Sequence, residues 1–485
     1  MQLSGMLSER VLTGPPNYES VTAGDRAERV FILVLPEPTC VEPERQSEVN
    51  SEAQSGVREA HIRWYGGDLA SFVGSHIAVR GRLSTATIGH DRTPVVLDSR
   101  REPVPRYWAP QVRLGLTPVQ ETNDIAGLTR AEFEAMARAR LPRGHCVAAE
   151  IYRAAFERGE FEPERYGLSA EASDAWRRHF RLEAPRVVRV VREGEGDAIT
   201  SKLVLGLRDG LECESVLLPM GPERTTLCIS SQVGCKMGCT FCETGRMGML
   251  RNLSAAEIVG QLVTARSPAG FATPFRNVVL MGMGEALDNF DQVQQALRVM
   301  TDRAGLSIGQ GRITLCTVGH VAGIRRLQQA GWRRLNLSVS LNAPDDELRA
   351  QLMPIARKHP LAELQEVVAS YRPRPNFVLG VNYCLLPGIN DAREHAAGIA
   401  RFCARIPRVM VNVIPYNPGL APLTRKPTEP EVERFIDWLR EEGLPVRRRI
   451  TRGQSVMAAC GQLGNVELRK LRRASKAQAS SSAPA

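Results

Sequence analysis

Apolar and polar residues change their rhythm along this chain, and each change marks a different kind of structure. Over the first hundred residues, short apolar runs stand between long polar ones. Arg29–Leu35 (RVFILVL), His76–Leu83 (HIAVRGRL) and Thr93–Leu97 (TPVVL) read as strands. The polar, acidic stretch from Pro36 to Glu59 reads as a long loop. No helical period intervenes, so residues 1–104 are expected to form a small all-β domain, barrel-like in form. Pro103, Pro105 and Pro110 mark a linker. From Thr129 to Phe180 the period lengthens. TRAEFEAMARARL and HCVAAEIYRAAFERG repeat apolar residues at three- and four-residue steps, as amphipathic helices do. Two strand-like runs follow, Arg186–Val191 and Lys202–Leu207, and then ESVLLP. Residues 105–209 are thus expected to be a helical accessory domain ending in a β-hairpin.

From Thr225 onward, strands and helices alternate. The strand candidates are TTLCIS, RNVVLM, RITLCTV, RLNLSVSL, FVLGVNYCLL and RVMVNVIPY. Helices lie between them. One opens on the capping box Ser254-x-x-Glu257 and another on Thr428-x-x-Glu431. Strand–helix alternation of this kind predicts a parallel α/β sheet, a (βα)6 partial barrel over 210–465, with chemistry at the C-terminal ends of its strands. The basic, Ser/Ala-rich tail 466–485 is expected to be disordered.

Composition narrows the setting. The chain of 485 residues has room for several domains, and no run of about 18 apolar residues predicts a membrane span. The N-terminus lacks a basic flank and apolar block, and the eleven cysteines are odd in number. Reduced thiols in the cytoplasm are therefore expected rather than a disulfide framework. A net charge of +10 suits a polyanionic partner such as RNA, while 5% aromatic residues give little support for an extended base-stacking platform.

The chemistry concentrates in TLCISSQVGCKMGCTFCETG. Cys235-x3-Cys239-x2-Cys242 offers three thiolates, a set that leaves one corner of a [4Fe–4S] cube unligated. An open iron can bind and reductively cleave S-adenosylmethionine (SAM), which points to radical chemistry. A structural zinc site or plain buried thiols are the other readings. Zinc sites usually want four ligands in pairs, and no partner C-x2-C pair exists here. Phe241 would pack beside the cluster. A second motif, VVLMGMGEAL, puts Gly282, Gly284 and Glu285 at a strand end, a turn that many folds contain.

Taken in order, Cys228-ISSQVG-Cys235, the triplet, GMGEAL, LSVSLNAPDDELR, IPYNP and AACGQL resemble the RlmN/Cfr family of radical-SAM RNA methyltransferases, from about Leu128 to Gly464. Outside that span, GPPNYESV and GHDRTPVVL resemble a small bacterial β-domain to which no chemistry attaches. The resemblance implies methylation of an adenine ring carbon, C2 or C8, in 23S ribosomal RNA, with tRNA as a further substrate. It implies one [4Fe–4S] cluster held by Cys235, Cys239 and Cys242 plus SAM, two SAM molecules per turnover, and an electron donor such as flavodoxin.

In the scheme that the resemblance implies, one SAM methylates Cys460. A second is cleaved at the cluster, and its 5′-deoxyadenosyl radical takes a hydrogen from the S-methyl group. The carbon radical adds to the ring, Glu214 accepts the ring proton, and Cys228 resolves the crosslink through a transient disulfide with Cys460. SAM contacts carried over are Gly284, Glu285, Cys316, Ser340, Leu341, Asn342 and Asn417. Cys316 stands where the family usually has serine, and Asn342 where it has histidine. Arg246, Arg251, Arg325, Arg326, Arg333, Arg334 and Arg447–Arg449 are candidate phosphate contacts. The target base must leave its stack to reach the barrel mouth, which suits looped RNA. The rivals are C8 methylation, a radical-SAM enzyme for another substrate, and a non-catalytic RNA-binding protein with a structural metal site.

Overall fold

The structure is a computed structural model. It describes seven strands within residues 2–105, and residues 122–464 except 222–224, 268–269 and 272–274. The chain divides into two compact units, Met1–Pro118 and Val119–Ala485. No helix among the described residues is long and apolar enough to cross a membrane.

In the first unit, β1 (Gln2–Thr13), β2 (Ala27–Val41), β3 (Gln54–Trp64), β4 (His76–Arg80), β5 (Arg82–Thr85), β6 (Val95–Ser99) and β7 (Val104–Pro105) make one sheet, ordered β5-β6-β3-β2-β1-β4-β7. The long loop expected from Pro36 to Glu59 is shorter than its polarity suggests, because β2 and β3 extend into it from either side. The register between them shifts from Val34 to Thr39 and again to Val41. Pro36 and Pro38 fall in this irregular stretch, where their missing N–H groups cost no ladder bond. The single strand expected over His76–Leu83 is two, β4 and β5, and β1 had no clear sequence signal.

The second unit opens with β8 (Asn123–Asp124), helices α1 (Arg130–Arg140), α2 (Ala148–Glu157) and α3 (Ala170–His179), and β9 (Phe180–Arg181). Thr129 and Glu132 form a capping box that starts α1, with Thr129 N donating to Glu132 Oε2 at 2.8 Å. The apolar stripes converge on one aromatic knot. The ring of Phe133 lies 5.5 Å from Trp176, 5.8 Å from Tyr152 and 4.9 Å, edge-on, from Phe180.

The main sheet has ten strands. They are β10 (Arg186–Glu193), β11 (Thr200–Gly206), β12 (Glu212–Pro219), β13 (Thr225–Cys228), β16 (Asn277–Leu280), β17 (Ile313–Thr317), β18 (Asn336–Ser340), β19 (Leu379–Leu385), β20 (Val409–Pro415) and β21 (Val446–Arg448). The pair β14 (Gln232–Val233) and β15 (Arg251–Asn252) stands apart. Strands β10 to β13 are antiparallel, and β13 onward run parallel. All six expected barrel strands are present, and the expected α/β partial barrel is the observed fold. The hairpin expected to go with the accessory helices is instead hydrogen-bonded into the barrel sheet, because β12 pairs with β13 from Val216↔Cys228 to Pro219↔Thr225. The extra edge strand β21 has no sequence signal, because VRR is too short and too basic to show a period.

Helices α4 (Glu243–Met247), α5 (Ala255–Arg266), α6 (Phe290–Thr301), α7 (Val321–Gln329), α8 (Asp346–Leu352), α9 (Leu361–Ser370), α10 (Arg393–Cys403) and α11 (Glu429–Glu441) link these strands. The Ser254 and Glu257 box starts α5, and at α11 Thr428 N donates to Glu431 Oε2 at 2.8 Å.

Removing Phe133 leaves a cavity at the centre of the aromatic knot. Phe133→Ala is expected to cost about 3 kcal/mol, which by the usual conversion is about a hundredfold faster amide hydrogen exchange in α1–α3. Unchanged exchange there would contradict this packing.

Candidate active site

The three cysteines of the triplet lie on the loop that leaves β13 at its C-terminal end. Two close approaches shape that loop. Gly234 has φ +77°, and a Cβ there would sit 1.9 Å from the Gly248 carbonyl oxygen, so only glycine can occupy it. Gly284, with φ +101°, lets the GMGEAL turn lie against Gln232, where a Cβ would come within 2.6 Å of that side chain. Gln232 Oε1 in turn accepts from Glu285 N at 2.9 Å. The loop thereby locks to the next strand's turn.

Cys235, Cys239 and Cys242 pack in one apolar nest with Met237, Leu352 and Phe241, so Phe241 does lie beside them. Burial raises all three thiols, Cys235 to about 12. Each of Cys235 and Cys239 is raised further by the charge on Cys242. Thiols that repel one another as thiolates in a dry pocket are donors suited to a cation that would stabilise them. Among the described residues, no three His, Cys, Asp or Glu side chains are gathered as ligands of a single ion. A second sign of a missing partner is Asn417, which is buried and whose Oδ1 has no hydrogen-bond partner. Three soft donors and one orphaned carbonyl oxygen fit an iron–sulfur cluster with a polar ligand beside it.

The other carried-over positions divide. Cys316 Sγ lies 3.6 Å from Ser340 Oγ and accepts from Asn382 Nδ2 at 3.2 Å, and Asn412 Nδ2 donates to Asn382 Oδ1 at 3.0 Å. This polar row crosses β17 to β20. Asn382 and Asn412 were missed, although their register pairing on neighbouring strands follows from the strand alignment. Glu285 is buried, and its oxygens accept from Leu287 N at 3.0 Å and Val318 N at 2.8 Å. Burial lifts its carboxyl to about 7 against those bonds. Leu341 has a fully buried side chain in the core, and its N–H is bound to Asn382 O at 2.9 Å. Asn342 occupies the left-handed region at φ 57°, which Asn tolerates better than most residues. Its side chain accepts from Cys384 N at 2.9 Å and donates to Met353 Sδ at 3.2 Å.

Cys460 lies on a loop, 453–464, that crosses from β21 back to the opposite edge of the sheet. Glu193 on β10 accepts from Gly453 N at 3.1 Å and Ser455 N at 2.7 Å. Lys202 on β11 donates to Met457 O at 3.0 Å, where Met457 has the unfavourable φ of 53°. Glu214 on β12 accepts from Lys202 Nζ at 3.4 Å and from Gly464 N at 3.0 Å. From the cluster side, Glu243 N donates to Gly461 O at 2.7 Å and Thr244 Oγ1 to Leu463 O at 2.6 Å. Asn417 Nδ2 donates to Cys460 O at 3.4 Å. Glu214 and Lys202 are both buried, and burial raises the Glu214 carboxyl against the pull of Lys202 and the Gly464 N–H.

Cys460 reaches solvent, yet crowding by surrounding protein raises its thiol, with Arg449 pulling the other way. Its negative form is felt by Cys228, by Cys316 and by Cys384, so four thiols share one region. Nothing in the sequence around Cys384 marks it for this region. Cys228 is buried at the end of β13, and its thiol is pushed up by burial first and then by Cys460. All the described cysteines are free thiols.

Most of the arginines proposed as phosphate contacts are otherwise engaged. Arg251 forks onto Glu257 (2.8 and 2.7 Å), and Arg246 donates to Thr240 O at 2.8 Å within the cluster loop. Arg325 pairs with Glu363, Arg326 with Asp291, and Arg448 with Glu429 and Glu433. Arg333 and Arg334 precede β18, at the end of the sheet away from the cysteines. Of the proposed phosphate contacts near the mouth, Arg447 and Arg449 make no ion pair among the described residues.

Residues 229–403 match the Radical SAM superfamily. The chain is 46% identical over 274 residues to the probable dual-specificity RNA methyltransferase RlmN 1 of Protochlamydia amoebophila, covering 56% of this chain and 75% of that one. It is 36% identical over 400 residues to the dual-specificity RNA methyltransferase RlmN of Rhodospirillum rubrum, covering 80% of this chain and 88% of that one. A crystal structure of a radical SAM methyltransferase from Sphaerobacter thermophilus superposes with a TM-score of 0.64 at 34% identity, over 70% of this chain and 98% of that one.

Lys202→Met strips the buried Glu214 carboxylate of its cation and Met457 O of its donor. Breaking one side of such a pair costs about 3–5 kcal/mol. Hydrogen exchange at 453–464 is expected to rise by at least about a hundredfold, since 1.4 kcal/mol is tenfold. Exchange at wild-type rates in this loop would show that the pair does not hold it.

Proposed function

This chain belongs to the RlmN family of radical-SAM RNA methyltransferases, and we propose that it methylates C2 of an adenine in 23S rRNA, and in tRNA, through a methyl group carried on Cys460. Membership of the family implies a [4Fe–4S] cluster and SAM. In our reading there is one cluster per chain, held by Cys235, Cys239, Cys242 and SAM, with two SAM molecules used per turnover. A flavodoxin-like protein of the cytoplasm supplies the electron. When bound, the cluster supplies the reducing electron that cleaves SAM.

The rest is the work of the chain's own residues. Cys460 takes a methyl group from SAM by displacement, its sulfur acting as nucleophile once deprotonated. One hydrogen atom of that methyl group is then removed by the 5′-deoxyadenosyl radical from a second SAM. The resulting carbon bonds to the ring carbon of an extruded adenine, and the odd electron of the adduct returns to the oxidised electron carrier as the ring proton leaves. Glu214 receives the ring proton. A carboxyl whose pKa is raised by burial is a better proton acceptor than an exposed one. The Cys228 thiolate next attacks Cys460 Sγ. An S–S bond forms as the S–C bond breaks, and the departing carbon keeps the electron pair and takes a proton to become the product methyl. An external thiol must reduce the disulfide before the next cycle.

What carries this reading is that Cys228 and Cys460, two thiols outside the triplet, lie near enough for the charge of one to raise the other, with the nest of Cys235, Cys239 and Cys242 beside Cys460. A structural metal site would use the trio alone and leave the pair idle. The polar row of Cys316, Ser340 and Asn382, with the orphaned Asn417 Oδ1, supports SAM lying between the cluster loop and the strand ends.

Anaerobic reconstitution is expected to yield about four irons per chain. Incubation with RNA is expected to give 2-methyladenosine by mass spectrometry. Cys228→Ala should accumulate a covalent RNA adduct, and Cys460→Ala none. Recovery of 8-methyladenosine would move the assignment to C8, and full methylation by both variants would remove the carrier role.

A further inference from the structure

Beyond β21 the chain enters the Cys460 loop through Arg449, Ile450, Thr451 and Arg452. Ile450 is 74% exposed, and Leu420 at 55% comes next among the exposed large hydrophobics of the described residues. One such side chain in water is ordinary. These two, however, lie on loops that follow neighbouring strand ends, β21 and β20, and the loops are tied together. Lys426 Nζ donates to Gln454 Oε1 at 2.8 Å, and Gln462 Nε2 donates to Pro418 O at 2.8 Å. Both side chains therefore stand on the rim that also carries Cys460.

The charge around them is arranged to match. Arg448 is pinned by Glu429 and Glu433, yet its neighbours Arg447 and Arg449, and Arg452 beyond them, make no ion pair or side-chain hydrogen bond among the described residues. Arg449 lies close enough to Cys460 for its charge to pull that thiol down. Unpaired guanidinium groups favour a polyanion. An exposed branched aliphatic among them favours a partner that also offers an apolar gap. A nucleic-acid strand with one base out of its stack offers both.

We propose that this rim is the RNA-docking surface, with Arg447, Arg449 and Arg452 seating phosphates and Ile450, backed by Leu420, filling the place of the extruded base. The proposal rests on the RNA reading above and deepens it. Extrusion costs a few kcal/mol of unstacking, and an inserted aliphatic offsets part of that cost by covering the faces left bare.

The test uses the reconstituted full chain and a fluorescein-labelled RNA hairpin with 2-aminopurine in a purine-rich loop. Anisotropy reads binding, and 2-aminopurine emission reads unstacking. Wild type is expected to bind and to raise the emission. Ile450→Ser, with normal iron content, should lose most of that rise, and Ile450→Leu should keep it. Arg449→Gln/Arg452→Gln should flatten the salt dependence of binding by about 1.4 in log–log slope, roughly 0.7 per lost phosphate contact. A full emission rise in Ile450→Ser, or an unchanged slope in the double variant, would overturn the docking surface while leaving the RNA reading intact. A wild-type chain that binds no hairpin at all would overturn both.

Discussion

A carboxylate taken out of water must find charges and donors inside the protein, and at Glu214 that requirement shapes the site. Its partners are Lys202 from the next strand and the Gly464 N–H from a loop some 250 positions away in sequence. Because neither partner is dispensable to a buried charge, the β10–β12 hairpin and the C-terminal loop cannot separate without exposing it. Glu193 adds a second grip on the same loop, and Lys202 also steadies the strained backbone at Met457. The sheet has one edge at β10 and the other at β21, and loop 453–464 spans between them. Cys460 rides on that span.

The thiols then divide by environment. Cys235, Cys239 and Cys242 share a dry, apolar nest where only a bound cation would favour their charged forms. Cys228 is buried at the end of the first barrel strand, and Cys460 reaches solvent on the loop that crosses back towards it. Such a division suits one set that holds a redox centre and another that carries and releases a carbon. In the proposed scheme Glu214 links the two functions, because the group read as the proton acceptor also holds the loop that bears Cys460.

What could be read from the chain beforehand depended on how local its signal was. The six barrel strands announced themselves as apolar runs between helices, and the cysteine spacing is local by nature. Long-range pairings left no mark. Nothing in the run around Lys202 hints that its amine bonds Met457 O, and the free or pinned state of Arg447, Arg448 and Arg449 depends on acids on α11. Prolines and acids in β2 and β3 masked extended backbone that an irregular register accommodates. The hairpin is legible as two apolar runs, but its place in the sheet is not, since that is set by the pairing of β12 with β13 and not by either run alone.

The account stands on Cys460 as the carrier. Its most direct test is peptide mass spectrometry after incubating the reconstituted chain with SAM bearing a trideuterated methyl group, first without RNA and then with it. The account predicts the label on the peptide containing Cys460, absent from that containing Cys228, and its departure when RNA and reductant are added. Methylated RNA produced while Cys460 never carries the label would contradict it.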